Sequence, residues 1–411
     1  MAPVSKHPIY ATVAGFALIG SGLCLARYAY TPLIPALIDE GWTSKAGAGY
    51  LGAFNCLGYM VGCVGALQLP RFISIRLLLR LSLAFTTLGL LMCAWNGGFA
   101  WLALGRAITG FGGASLVVHT PAIALEHVPE AWKKVSNGIV FAGAGSTIAL
   151  VSLLLPVFLP EGVTAGWLFE SALALAATII AWSLTGNAPA VARDQRRPIA
   201  PLEAPLQRPL ALVGSAYLLA AIGITPHMLF LSDYLHRDLG ASVAASSQLF
   251  ALVGLGSLLG AVASGLLARL GGTFGALLFT YLLGAGAVAM VLLSNSFTVI
   301  AASAFCIGFF LMQCVALTSV RTGEIAGPER HPHWWGILTF GFGLGLALGA
   351  YGFSGLLSLD YSYIDTFRSA QGILILSLLL FACSGIRGAE NAAATTDKPG
   401  ESPSGLAYEG E

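Results

Sequence analysis

With 56% apolar and only 9% charged side chains in 411 residues, the chain carries more hydrophobic surface than one soluble core can hide, so lipid must be part of its solvent. A net charge of +1, its basic residues scattered over loops, offers no field for nucleic acid and excludes that partner. The seven cysteines (Cys24, Cys56, Cys63, Cys93, Cys306, Cys314, Cys383) all lie in apolar runs without a Cys-x-x-Cys pair, which speaks against a disulfide framework or a metal site.

The apolar runs reach about 20 residues or more, enough to cross roughly 30 Å of hydrocarbon, and such runs make helices, not barrel strands. Helix 1 is predicted over about residues 9–37; its length and Arg27 distinguish it from a signal peptide. Helices 2 to 6 follow at about 46–69, 77–95, 99–124, 135–159 and 165–186. Residues 187–208, with Pro189, Pro198, Pro201 and Pro205 among Arg193, Arg196 and Arg197, read as a cytoplasmic linker. Helices 7 to 12 are predicted at about 209–235, 242–268, 273–293, 297–320, 335–358 and 367–386. The tail, 387–411, is too poor in apolar residues to fold and is expected to be disordered. The organisation is an all-α polytopic membrane protein: one six-helix bundle in 1–186, another in 209–386.

With the amino terminus inside, the inner loops and tails hold Lys6, Arg71, Arg76, Arg80, Lys133, Lys134, Arg193, Arg196, Arg197, Arg208, Arg269, Arg321, Arg330, Arg387 and Lys398. The outer loops then keep only Lys45, Arg237 and Arg368. That bias places both termini in the cytoplasm.

The chain repeats itself at an offset of 198 residues, with no gap. Gly138, Gly143, Gly145 and Ala149 of helix 5 fall on Gly336, Gly341, Gly343 and Ala347 of helix 11. Gly58, Gly62 and Arg71 fall on Gly256, Gly260 and Arg269, and Gly110, Phe111 and Thr120 on Gly308, Phe309 and Thr318. Six helices per half preserve orientation, so this is a parallel duplication. Such halves pack about an axis along the membrane normal and leave a midplane cavity for alternating access.

From residue 9 to 386 the chain resembles the major facilitator superfamily. The run Arg27-Tyr28-Ala29-Tyr30-Thr31-Pro32-Leu33-Ile34-Pro35 is similar to a bacterial subfamily with sugar-efflux-like or drug-efflux-like members. Arg106-Ala107-Ile108-Thr109-Gly110 matches the superfamily's intramembrane Arg-x-x-x-Gly signature, which implies proton coupling. Two features depart from the pattern: Gly65 is followed by Leu67, Gln68, Leu69, Pro70 and Arg71 without the acidic residue of the inner gate, and helix 5 lacks the antiporter Gly-Pro step. The resemblance implies a multi-pass, monomeric carrier of the bacterial inner membrane, driven by a proton or other ion gradient.

Guanidinium groups at membrane depth are costly unless they face water, a counter-ion or a ligand, so Arg27 and Arg106 are the leading candidates for substrate binding or coupling. Their counterparts at the offset, Thr225 and Ala304, show that the scaffold itself does not need them. Two cations suit an anionic small molecule. Glu170 is the clearest carboxylate in an apolar run and a candidate proton carrier; an interfacial, wetted Glu is the competing reading. Asp233 is a further candidate, although it, Asp39 and Glu40 also read as solvated loop charges. His119 and His227 are candidates for proton traffic, or neutral histidines packed between helices. Tyr30, Asn55 and Gln313 offer hydrogen bonds to a cavity. Gly110, Gly138, Gly143, Gly145, Gly341 and Gly343 are expected at close, moving helix contacts.

No Gly-x-x-x-x-Gly-Lys loop supports ATP-driven pumping, and no cofactor is expected. An intramembrane enzyme would need a nucleophile with its base or a metal set, and neither pattern occurs in the sequence. A non-transporting receptor or scaffold would be expected to carry a sizeable soluble domain. What remains is a secondary carrier of a small organic solute, with an efflux antiporter and an organic-acid symporter both open.

Overall fold

The computed structural model describes residues 8–126, 128–186 and 202–385, and these contain no strand. The tail, most of the linker, and Lys6, Arg193, Arg196, Arg197, Arg387 and Lys398 lie outside the described residues. Among these described residues, eleven helices are long and apolar enough to cross a membrane. One of them, Val243–Leu293, has 51 residues, about 76 Å at the α-helical rise and more than two bilayer cores. It breaks at Gly272, whose φ of 66° and ψ of 162° are open to a residue without a Cβ. The break turns one stretch into helices 8 and 9, giving twelve crossings among the described residues.

Helices 2 to 6 span Lys45–Gln68, Ile75–Cys93, Phe99–Glu126, Glu130–Phe158 and Val163–Gly186. Helices 10 to 12 span Phe297–Ala326, His331–Ser358 and Tyr363–Cys383. Ser44, Ser74 and Ser242 start helices 2, 3 and 8 by accepting the amides of Gly47, Leu77 and Ala245. Ser362 and Asp365 close a reciprocal capping box on helix 12.

Two boundaries differ from expectation. Helix 7 runs Ala204–Arg237 and so begins inside the predicted linker; Pro205 sits in its first turn, where a missing N–H costs nothing. Helix 1 is not one α-helix but four pieces: Pro8–Ile19, a π turn over Gly20–Leu25, a 3-10 turn over Tyr28–Leu33, and Ile34–Asp39. Pro32 and Pro35 withhold two backbone donors there, so regular i to i−4 bonding cannot continue.

The duplication is visible atom by atom. A Cβ on Gly58 would lie 2.0 Å from the Ala107 carbonyl and one on Gly110 2.0 Å from the Asn55 carbonyl. At the 198-residue offset, Gly256 meets the Phe305 carbonyl at 2.0 Å and Gly308 the Val253 carbonyl at 2.0 Å. The crossing of helices 2 and 4 thus recurs in helices 8 and 10, backbone against backbone, because neither crossing leaves room for a methyl group.

The two bundles close against each other toward one end, here termed distal, where helix 1 turns into helix 2 and helix 7 into helix 8. Thr31 donates to the Met228 carbonyl and Ser247 to the Ser152 carbonyl at 3.0 Å, while midway along helices 5 and 8 Gly145 packs on the Leu258 backbone. Toward the other, proximal end, Gly138, Gly336 and Gly341 have nothing within 4 Å of where a Cβ would stand. Gly138 and Gly341 therefore do not mediate the close contacts expected of them: they lie on open faces of helices 5 and 11, which at this level pack on their neighbours through other residues, Val140 against Gly15 of helix 1 and Phe342 stacked on Tyr217 of helix 7. Gly143, by contrast, packs on the Phe16 carbonyl of helix 1 at 2.2 Å.

Candidate functional site

The break in helix 1 organises the site. Arg27 has φ −135° and ψ −62°, outside helical geometry, and the carbonyls that the break frees are taken by other helices. Asn55 of helix 2 donates to the Ala26 carbonyl at 2.6 Å and also contacts the Arg106 carbonyl and Thr109 Oγ1, both at 2.9 Å. Arg106 of helix 4 donates through Nη2 to the Arg27 carbonyl at 3.1 Å. Helices 1, 2 and 4 are thereby locked around one buried polar knot, in which every bond removed would strand a dehydrated group.

Only 1% of Arg106 is exposed. Its guanidinium lies 4.4 Å from the Tyr30 ring centroid and 6.0 Å from that of Trp167, and the two rings stack on each other. Cation–π contact supports the charge without neutralising it. Arg106 Nε and Nη1, and the Oδ1 of Asn55, are buried without a hydrogen-bond partner. Glu170, one turn beyond Trp167 on helix 6, is fully buried and both its carboxyl oxygens lack partners. It lies within electrostatic range of Arg106, yet no ion pair joins the two. Arg27 sets its guanidinium 4.1 Å over the Tyr59 ring, with Nη2 buried and unbonded.

Arg27, Asn55 and Arg106 line one pocket, whose opposite wall is built by Thr225, Met228 and Leu229 of helix 7 and Leu346 of helix 11. The pocket therefore lies between the two bundles. It offers about 20 Å³ to solvent, room for about one water, so a solute larger than that requires the bundles to part further.

The other predicted residues are placed differently. Tyr30 uses its hydroxyl on the Ala48 carbonyl at 3.0 Å and its ring on Arg106. His119 bonds the Ala66 carbonyl at 3.0 Å, fastening helix 4 to helix 2. His227 is buried in the second bundle, 3.0 Å from Ser303 Oγ and edge-on to Phe367. Gln313 is buried with both carboxamide atoms unbonded and is not part of the pocket lining.

Asp233 is no solvated loop charge: its carboxylate is inaccessible, held by Arg237 Nε at 3.0 and 3.1 Å and by the Tyr363 hydroxyl. Arg237 reaches on to Asp39 at 2.8 Å, and His236 Nε2 meets the other Asp39 oxygen at 2.9 Å. Asp39, at the end of helix 1, is thus also not merely solvated but bridges the bundles distally. Glu40 accepts the Val163 amide at 2.8 Å and starts helix 6. Sequence reasoning missed this latch, although a signal existed: Asp39 and Arg237 are equivalent positions at the 198-residue offset. A near-twofold axis brings equivalent helix ends together, and opposite charges there attract. Just past the latch, burial pushes Asp238 above the usual carboxylate range, against the pull of Lys45 and Arg237.

Comparison with known proteins agrees with this architecture. The family described as "Uncharacterised MFS-type transporter YbfB" matches residues 19–382. No curated protein matches the sequence. Among solved structures, the nucleoside transporter NupG superposes with a TM-score of 0.74 at 11% identity, over 93% of this chain and 100% of that one; a point mutant of the same transporter gives 0.73 at 11%, over 91% and 99%. A bacterial homologue of the human lysosomal transporter Spinster, inward-facing and unoccupied, gives 0.67 at 14%, over 93% and 96%. At these identities the likeness is one of fold.

A duplicated bundle of twelve apolar helices among the described residues, with a pocket between its halves that two arginines line, is the architecture of a multi-pass membrane transporter, and the family match assigns the chain to that class. The chain belongs to the major facilitator superfamily, in its YbfB-like family.

Proposed function

We propose that the chain is a proton-coupled secondary carrier of small organic anions, working by alternating access in the bacterial inner membrane with both termini cytoplasmic. With that topology the distal end is periplasmic, and the conformation described is closed toward the outside. Arg106 and Arg27 bind the solute, Asn55 orients it, and Glu170 carries the coupling proton.

One observation carries this reading: Arg106 is 1% exposed, lines the pocket between the bundles, and holds two N–H groups without an acceptor. A buried cation left so is expensive, and an anionic ligand provides what the protein does not. The expected test result is uptake of labelled organic anions into proteoliposomes under an imposed pH gradient, abolished in Arg106→Ala. An Arg106→Ala carrier working at the normal rate would refute the role.

A further inference from the structure

Resting on that carrier reading, we infer that Glu170 and the solute's carboxylate take turns as the counter-ion of Arg106, which makes the protein an electroneutral symporter of one proton with one monoanionic acid.

Charge is expensive around Arg106, where the surroundings are buried and apolar. Arg106, Arg27 and Glu170 are the groups of opposite charge around the knot of helices 1, 2, 4 and 6, and the thiols of Cys24 on helix 1 and Cys93 on helix 3 also lie within electrostatic range of Glu170. Neither arginine is in an ion pair with a described carboxylate, and each has at least one dehydrated N–H. Glu170 has two dehydrated oxygens and no donor. A carboxylate ionised in such a place, with no bond to either oxygen, costs several kcal/mol, so the unpaired Glu170 described is the protonated form, the companion of a solute-bound Arg106, whereas in the free carrier Glu170 is ionised and paired with Arg106. An ionised Glu170 would instead be drawn to the cation within its electrostatic range, Arg106 of helix 4, whose guanidinium lies 6.0 Å from the ring of Trp167, the residue one helical turn before Glu170.

Two arrangements satisfy Arg106. In one, a carboxylate solute occupies the pocket against Nε and Nη1 while Glu170 is neutral. In the other the solute has left, Glu170 has released its proton to the same side, and its carboxylate pairs with Arg106. The balance is Arg106⁺·solute⁻ with neutral Glu170 on one side, and Arg106⁺·Glu170⁻ plus free solute⁻ and H⁺ on the other. Arg27 stays charged over Tyr59 throughout, so the site carries the same net charge in both arrangements. Neither crossing then moves charge, and solute and proton travel together. A dianion would break this equality. The wall that faces the arginines carries Met228, Leu229 and Leu346 beside Thr225, whose hydroxyl is already given to the Ala221 carbonyl, so it suits the short hydrocarbon body of a monocarboxylate and itself offers no free donor to a second carboxylate.

The test is proton counting. Purified protein is titrated with lactate, pyruvate, gluconate, and uridine as the neutral probe, by calorimetry in buffers of differing ionisation heat. One or more of the three carboxylates is expected to bind with about one proton taken up, and Glu170→Gln to bind with no proton uptake and a Kd that no longer varies with pH. Glu170→Asp, which keeps the titrating group, restores the linkage and shows that any loss in the Gln variant is not misfolding. Carboxylate binding with no proton linked, or an unchanged linkage in Glu170→Gln, overturns this inference while leaving an anion carrier standing. Binding of uridine but of none of the carboxylates overturns the inference together with the anion reading on which it rests.

Discussion

Asparagine at position 39 removes the charge that holds the distal ends of the two bundles together. The substitution weakens two contacts, with Arg237 at 2.8 Å and His236 at 2.9 Å, whose side chains are 22 to 42% exposed. Half-exposed pairs of this kind contribute at most about 1 kcal/mol each, so the distal-closed conformation should lose about 1–1.5 kcal/mol, roughly a tenfold change in the open-to-closed ratio. Arg237→Gln is a different perturbation, although it breaks the same bridge. It leaves the Asp233 carboxylate, fully buried, with the Tyr363 hydroxyl alone, and a stranded buried charge costs about 3–5 kcal/mol. The readout is native: Cys56 lines the pocket. With the other six cysteines replaced, its modification by an impermeant thiol reagent added from the periplasmic side reports distal opening. Asp39→Asn should accelerate labelling about tenfold, while Arg237→Gln should both open the gate and lower thermal stability. An Asp39→Asn protein labelled at the parental rate, or an Arg237→Gln protein no less stable than Asp39→Asn, would sink the latch argument.

Three further outcomes follow from the packing. Arg106→Lys should fail to restore the transport lost in Arg106→Ala, measured as uptake into proteoliposomes, because an ammonium cannot both hold the Arg27 carbonyl and present a planar fork to the pocket. Gly110→Ala places a methyl 2.0 Å from the Asn55 carbonyl, and overpacking against backbone should cost about 1–3 kcal/mol or more, whereas Gly138→Ala meets nothing and should leave the detergent melting temperature unchanged. His119→Ala gives up one bond to the Ala66 carbonyl, about 1 kcal/mol, and should keep its transport rate.

How much of this the sequence discloses depends on whether the controlling force is local or spatial. Hydropathy runs reveal helix existence because lipid imposes it residue by residue, and the glycine pairs of helices 2, 4, 8 and 10 reveal a crossing because backbone contact tolerates nothing larger. Arg27 and Arg106 stand out since a charge in an apolar run needs a reason. What stays hidden is set by partners far apart in the chain. The break at Arg27 needs Asn55 and Arg106 to take up its carbonyls; His227 is withdrawn from the pocket by Ser303; Asp233 is buried by Arg237 and Tyr363. The linker boundary misled because prolines signal a break in general, yet Pro205 in a first helical turn signals a start.

The repeat also exposes an inequality between the two bundle interfaces. By the 198-residue offset, Gly145 against Leu258 in helices 5 and 8 is the same contact as Gly343 against Met60 in helices 11 and 2. A Cβ on Gly145 would sit 2.5 Å from the Leu258 amide nitrogen, whereas one on Gly343 would be 3.8 Å from the Met60 side chain. The first is backbone against backbone and cannot yield; the second is an ordinary van der Waals distance to a flexible thioether. Alanine at 145 must therefore push helices 5 and 8 apart, and since Gly254 presses back on Gly145 and Ala149 of the same helix at 2.6 and 2.4 Å, no small shift along the axis relieves the clash. Gly145→Ala should disfavour the distal-closed conformation and raise the rate of Cys56 labelling from the periplasmic side, while Gly343→Ala should leave it unchanged. If the two variants behaved alike, the bundles would be meeting symmetrically in the membrane, and the tight contact between helices 5 and 8 would not be what holds the distal side shut.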